Sequence, residues 1–323
     1  MAAGPGAGVD RCLGEAIGAR GRPPAGRPLA VLMLNSPDEP ARGLAAACLR
    51  RADVVVFGDG ALGRYGWALE GVDGLRAKVL GVVGDFDSIV DGDGRGVMRI
   101  GIPSQDANDM FKCLAVLKEA ANACAGAAAA GSVADLSARR LAAAALRCLG
   151  LEGDAKDGTE PAAAGAPPAA AGSDVAAPCI SSECAKALTL GPGSFDVVVL
   201  GGLGGRFDHE AQSLNALVVW EGEFASMWLL STFSAVTLLP AGASRVRLSP
   251  PFEGPTCGVI PIGEPPSRVV TTGLRWNLGP ELKLAYGACV SSSNHAEDDV
   301  VAVETDRPVL FTAALDCDSL AAE

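Results

Sequence analysis

The chain has 323 residues and a formal net charge of −12, enough length for one large domain or two ordinary ones and the wrong sign for a broad grip on nucleic acid or an anionic membrane. Hydrophobic residues make up 49% but aromatics only 5%, and much of the apolar share is alanine, so large core side chains are fewer than the percentage suggests. His209 and His295 are the only histidines, which excludes a multi-histidine zinc centre and restricts any histidine triad to one of these two.

The first 28 residues lack the apolar run of a secretory signal and read as a disordered extension. Their arginines and small residues leave organellar targeting open, while Asp10 and Glu15 speak against it. The ten cysteines are scattered and form no CxxC pair, which predicts reduced thiols and a cytoplasmic protein. No stretch approaches the length of a bilayer span.

Leu29 to Leu34 is the first firm strand, and Ala41 to Arg50 follows with a helical pattern. Asp53 to Phe57, Val79 to Val83 and Asp196 to Leu200 are short β-branched runs ending in glycine or aspartate, as buried parallel strands do. Between them, Asp106 to Leu117 spaces Met110, Leu114 and Leu117 as a helix that continues into Ala121. From about residue 122 to 192 the composition turns to Ala, Gly and Pro and predicts a largely disordered insertion, broken by an amphipathic, solvated helix at Ser137 to Leu149. Beyond Pro240, RVRLS, CGVIPIG, RVVTTG, LKLAYGACVSSSN and VVAVETDRPVLFT predict short strands divided by Pro, Gly and Asn turns, a β-rich second domain.

Three clusters carry the chemistry. Asp85 and Asp87 follow a buried strand two residues apart with Ser88 beside them, a pair suited to a hard cation such as Mg2+ whose remaining positions are waters and phosphate oxygens. Gln105, Asp106, Asp109 and Lys112 open the next helix, where Asp106 reads as its cap and Asp109 with Lys112 sit further in. Gly201, Gly202, Gly204 and Gly205 then lead into Arg206, Asp208 and His209, where an arginine can fork onto phosphate oxygens and Asp208 can ligate metal or orient that arginine. The run VVVFGDGALG also satisfies GxGxxG, but no acidic ribose ligand follows at the expected distance, and a phosphate-loop lysine motif is absent.

The ordered series GDFDSI at Gly84, QDxNDxxKCL at Gln105, GGLGGRFDH at Gly201, TTGLRWNL at Thr271, VSSSN at Val290 and VETDRPVLFT at Val303 resembles the eukaryotic thiamine pyrophosphokinases over residues 29 to 315, without the extension and the insertion. The family's DGGANR turn departs here to Asp59-Gly60-Ala61-Leu62-Gly63-Arg64. The resemblance implies an α/β catalytic domain with a mostly parallel sheet at residues 29–240 and an all-β sandwich that binds thiamine at 241–323. It further implies a homodimer with shared sites, and transfer of the pyrophosphoryl group of ATP to the thiamine hydroxyl with release of AMP. By matching position, Asp85, Asp87, Asp109 and Asp208 would handle magnesium and phosphates, assisted by Gln105, Lys112 and Arg206, with Asp59 and Ser88 among the ligand-binding positions. Trp276, Asn277, Ser291, Ser293 and Asn294 would serve the vitamin. Two other readings stand beside this one: a non-catalytic thiamine-binding protein of the same fold, and a dinucleotide-dependent oxidoreductase built on Gly58 to Gly63.

Overall fold

The computed structural model describes residues 9–17, 26–87, 96–132, 134, 136–151 and 180–320. Its centre is a run of six parallel strands, β2 (Leu29–Met33), β3 (Val54–Gly58), β4 (Val79–Gly84), β5 (Arg99–Gly101), β6 (Asp196–Leu200) and β7 (Ser226–Leu230), in the spatial order β7-β6-β2-β3-β4-β5. The apolar runs that mark β2, β3 and β6 in the sequence are wholly buried. Alternation divides their side chains between two faces. Val31, Val55 and Phe57 pack with α2 (Arg42–Arg51), α3 (Ala61–Gly71) and α4 (Leu75–Lys78). Ala30, Leu32, Val54 and Val56 pack with α5 (Asp109–Ala129), α6 (Ala138–Cys148), α7 (Ser182–Leu188) and α8 (Phe207–Val219).

The sheet does not stop at the end of the α/β region. β8 (Ser234–Leu239) turns back antiparallel on β7, and β14 (Val309–Leu315), β10 (Glu253–Pro261) and β12 (Ser291–His295) extend it to ten strands, with β12 at one edge and β5 at the other. A second sheet of four strands, β1 (Val9–Arg11), β9 (Gly242–Arg247), β13 (Val300–Thr305) and β11 (Val269–Thr272), forms the other layer in the order β1-β9-β13-β11. Val246, Val269, Val301 and Val303 from it share one apolar core with Val259 and Phe311 of the large sheet and with Leu44 and Leu62 of the helices. The α/β architecture and β-rich C-terminal layer expected from the sequence are thus present, joined by one sheet and one core. Between Arg245 and Thr312 the described residues form no helix.

Several expectations need correction. Residues 9–16 lie in the supposed disordered extension, yet β1 pairs with β9 and the short helix α1 (Leu13–Ala16) buries Leu13 completely. In the supposed insertion, α5 runs on to Ala129, the helix expected at Ser137 to Leu149 is present as α6 but packs instead of standing solvated, and α6 and α7 bury Leu141, Ala145, Cys184 and Leu188. Alanine is the strongest helix former and its small side chain lets helices approach closely, so an Ala-rich segment with few large apolar residues still packs here. Residues 152–179 lie outside the described residues, as do 1–8 and 18–25. Helix α5 begins at Asp109 because Asn108, not Asp106, is the cap: its Oδ1 accepts from the Phe111 amide at 3.0 Å. No helix among the described residues is long and apolar enough to cross a membrane.

Candidate active site

The parallel strands end in the residues that could do chemistry, and neighbouring strand ends lie about 4.8 Å apart. Asp59 follows β3, and Asp85 and Asp87 follow β4. The carboxylate oxygens of these three residues lie within 4.8 Å of one another. Asp59 is 2% exposed, and Gly84 is what makes room for it: a Cβ on Gly84 would stand 2.4 Å from the Asp59 Cβ. Gly60 at φ +69° then turns the chain into α3.

Helix α5 supplies the opposite wall. Lys112, 2% exposed, holds its Nζ 3.8 Å from both Asp85 Oδ2 and Asp109 Oδ1, and Gln105 Nε2 donates to Asp85 Oδ2 at 2.5 Å. Burial opposes ionisation of Asp85, but hydrogen bonds from Gln105 and Asp59 and the Lys112 charge outweigh it and hold the carboxyl below its ordinary value. Asp109 goes the other way. Burial, joined by repulsion from Asp59, Asp85 and Asp87 and only partly offset by Lys112, raises its pKa to about 6.

The sequence assigned metal to Asp85, Asp87, Asp109 and Asp208. Among the described residues, the group with ligand spacing is instead Asp59, Asp85 and Asp87, with Asp109 beside it on Lys112. Asp208 is not in that group. It opens α8 after β6, which is separated from β4 by β2 and β3, and the glycine loop before it lies against Pro37 and Asp38 beyond β2. There Arg206 forks onto it, Nη2 to Oδ2 at 2.5 Å and Nε to Oδ1 at 3.1 Å. The hydrogen bond from Arg206 lowers the Asp208 pKa, and the same bond raises that of Arg206. Ser88 lies outside the described residues. Asp59 follows β3 by one residue and helix α3 begins two residues later, so the GxGxxG turn does join a strand to a helix. It also points a buried carboxylate into the acidic cluster, where a dinucleotide fingerprint would receive a pyrophosphate.

On the β-rich side, Trp276 is 58% exposed, and the Arg275 guanidinium lies 5.6 Å over its ring while bonding Glu297 at 2.9 Å. Asn294, buried, clamps the tryptophan backbone from both sides: Oδ1 accepts from Trp276 N at 3.3 Å and Nδ2 donates to Trp276 O at 2.8 Å. Nδ2 also donates to Ser291 Oγ at 3.2 Å. Asn277 Oδ1 accepts from Thr271 Oγ1 and Leu274 N, both at 3.2 Å. Asn277, Ser291 and Asn294 are therefore occupied in shaping the loop that presents Trp276. Ser293 is exposed on β12 at φ +54°, a strained backbone for a residue that is not glycine.

A parallel sheet with a carboxylate cluster at its strand ends, continuous with a β-sandwich that presents an exposed tryptophan, defines a two-part α/β and β protein. Solved structures with this fold include the thiamin pyrophosphokinases of yeast, with a TM-score of 0.65 and 21% identity over 97% of this chain and 93% of that one, and of Candida albicans, with a TM-score of 0.66 and 18% identity over 98% and 96%. Residues 244–310 match the family described as thiamin pyrophosphokinase, vitamin B1 binding domain. Thiamine pyrophosphokinase 1 of Oryza sativa is 37% identical over 139 residues, 41% of this chain and 52% of the relative. Thiamine pyrophosphokinase 2 of Arabidopsis thaliana is 33% identical over 138 residues, 42% and 51%. The chain spans about half the length of the curated relatives it matches. The resemblance carried by the six motifs is thus borne out in the fold and in the C-terminal region.

Proposed function

We propose that the protein is a thiamine pyrophosphokinase, which transfers the pyrophosphoryl group of ATP to the hydroxyl of thiamine to give thiamine diphosphate and AMP. The observation that carries this reading is the convergence of Asp59, Asp85 and Asp87 beside buried Lys112 at the strand ends. In the reaction the thiamine hydroxyl oxygen bonds the β-phosphorus while the bond from that phosphorus to the oxygen bridging it to the α-phosphorus breaks. AMP leaves with those electrons, and the hydroxyl proton is released.

Three hard carboxylate donors in one cluster fit Mg2+. Asp59, Asp85 and Asp87 would hold it, and when bound it supplies charge neutralisation on the phosphates. Lys112 places a fixed cation beside the transferred group without needing to move. Gln105 keeps Asp85 oriented and ionised. Arg206, one fork already on Asp208, offers the remaining guanidinium edge to phosphate oxygens.

Trp276 offers an aromatic surface to the vitamin. It is carried next to β12, at the edge of the ten-stranded sheet, whereas Asp59 and Asp85 follow β3 and β4 near the other edge. Seven strand spacings separate β12 from β3, about 30 Å along the sheet, too far for one substrate pair to bridge. That separation favours a homodimer in which the vitamin surface of one subunit meets the acidic cluster of its partner. The test is product analysis after incubation with ATP, Mg2+ and thiamine: equimolar AMP and thiamine diphosphate support the assignment, and ADP with thiamine monophosphate refutes it. Mixing an Asp85→Asn variant with a Trp276→Ala variant should restore part of the activity if sites are shared, since one mixed site then has both halves intact.

A further inference from the structure

The proposed reaction leaves a second cluster of charge unused, at the opposite end of the parallel strands. A cavity of about 160 Å³ is lined by Arg11, Arg27, Arg245 and Arg247 with Asp10 and Glu15. Arg27 precedes β2, Asp196 begins β6, and Ala225 precedes β7. The cavity therefore sits at the amino ends of these strands, whereas the acidic cluster follows their neighbours' carboxyl ends about 16 Å away along a five-residue strand.

In a chain of net charge −12, four guanidinium groups gathered at one cavity need a counterpart. Buried Asp196 takes the Arg27 Nε at 3.2 Å. The others are less well served. Arg11 spends Nη1 on the Ala225 carbonyl at 2.8 Å, and its Nε is buried with no hydrogen-bond partner among the described residues. Burial lowers the Arg11 pKa and the nearby Arg27 charge adds to that, against the pull of Asp196 and Glu221. Arg245 and Arg247 approach Asp10 and Glu15 only at 3.9 Å, beyond hydrogen-bond reach. These two arginines stand on the same face of β9, two residues apart, so their side chains leave the strand about 7 Å from each other. That spacing suits two forks on the neighbouring phosphoryl groups of one small anion.

We propose that this cavity is a binding site for inorganic diphosphate or phosphate, separate from the site of the transfer reaction. Its volume accommodates a compact oxyanion. The test is isothermal titration of the full-length protein with sodium diphosphate at low ionic strength, with chelator present so that the acidic cluster has no metal through which to hold phosphates. Saturable binding is expected, weakened about tenfold or more in an Arg245→Ala, Arg247→Ala double variant and retained in Asp87→Asn. Because both arginines are exposed, the double variant should melt as the parent does. If it does not, the Arg245→Lys, Arg247→Lys pair decides, since it keeps the charges and removes the forks: weakened binding supports the site, and parental binding overturns it. Absence of saturable binding to the parent, undiminished binding in the alanine variant, loss in Asp87→Asn, or tighter binding of AMP than of diphosphate would each overturn the proposal.

Discussion

Replacing Asp109 by asparagine separates what this carboxylate does for catalysis from what it costs the fold. Asp109 opens α5 facing Asp59, Asp85 and Asp87, and its pKa stands at about 6 instead of 3.8. A shift of about two units is worth roughly 3 kcal/mol at full burial. The side chain is 37% exposed, so solvent screening brings this to about 1 kcal/mol. The sign follows from the direction of the shift. Below the unfolded value both states carry the proton and Asp109 costs nothing. As pH rises through the folded value the native state must ionise a carboxyl among carboxylates, and stability is lost. Asp109→Asn should therefore stabilise the metal-free protein by about 1 kcal/mol at pH 8, with the gain gone by about pH 4. Turnover should fall in the same variant, on the order of a thousandfold if the charge contributes about 4 kcal/mol in the transition state. Urea unfolding of both proteins at the two pH values with chelator present, together with steady-state AMP release at saturating Mg2+, measures the two effects. Near-parental turnover would remove Asp109 from the site, and equal stability of the two proteins at pH 8 would refute the repulsion argument.

Gly84→Ala should abolish most activity, because the new Cβ would stand 2.4 Å from Asp59 Cβ and displace that carboxylate; retention of full turnover would mean Asp59 is not needed where it lies. Trp276→Ala should raise the KM for thiamine far more than that for ATP, and Asn294→Ala should reproduce this split while costing about 1–3 kcal/mol of stability from the backbone groups it leaves unpaired. Equal changes in both KM values would assign the tryptophan to the core. Leu141→Ala in α6, 2% exposed, should destabilise the protein by about 2–3 kcal/mol in urea melts, whereas an unchanged midpoint would show that α6 contributes no packing.

What was legible in the sequence was local. β2, β3, β4 and β6 stand out because strands buried on both faces must be continuous runs of Val, Leu and Ile, and the motif residues Asp85, Asp87, Gln105 and Lys112 lie within one strand-to-helix passage whose spacing already suggests a shared site. The helical pattern of α5 was visible for the same reason, but its start was not: Asp106 and Asn108 are both good caps by type, and only the bond from Phe111 N to Asn108 decides between them. Tertiary structure alone put Asp59 into the acidic cluster, since it lies 26 positions before Asp85 and reaches it through the parallel pairing of β3 with β4. The same ordering puts β2 and β3 between the strand that precedes Asp208 and the strand that precedes Asp85. It also turns Asn294 from an expected ligand into a clamp on the Trp276 backbone, orders β1 and α7 where composition predicted no structure, packs α6 where a solvated helix was expected, and carries Trp276 to the far edge of the sheet from the carboxylates. In each case the deciding quantity is a distance between residues remote in sequence, which residue type and local spacing do not encode, whereas sheet order and core packing do.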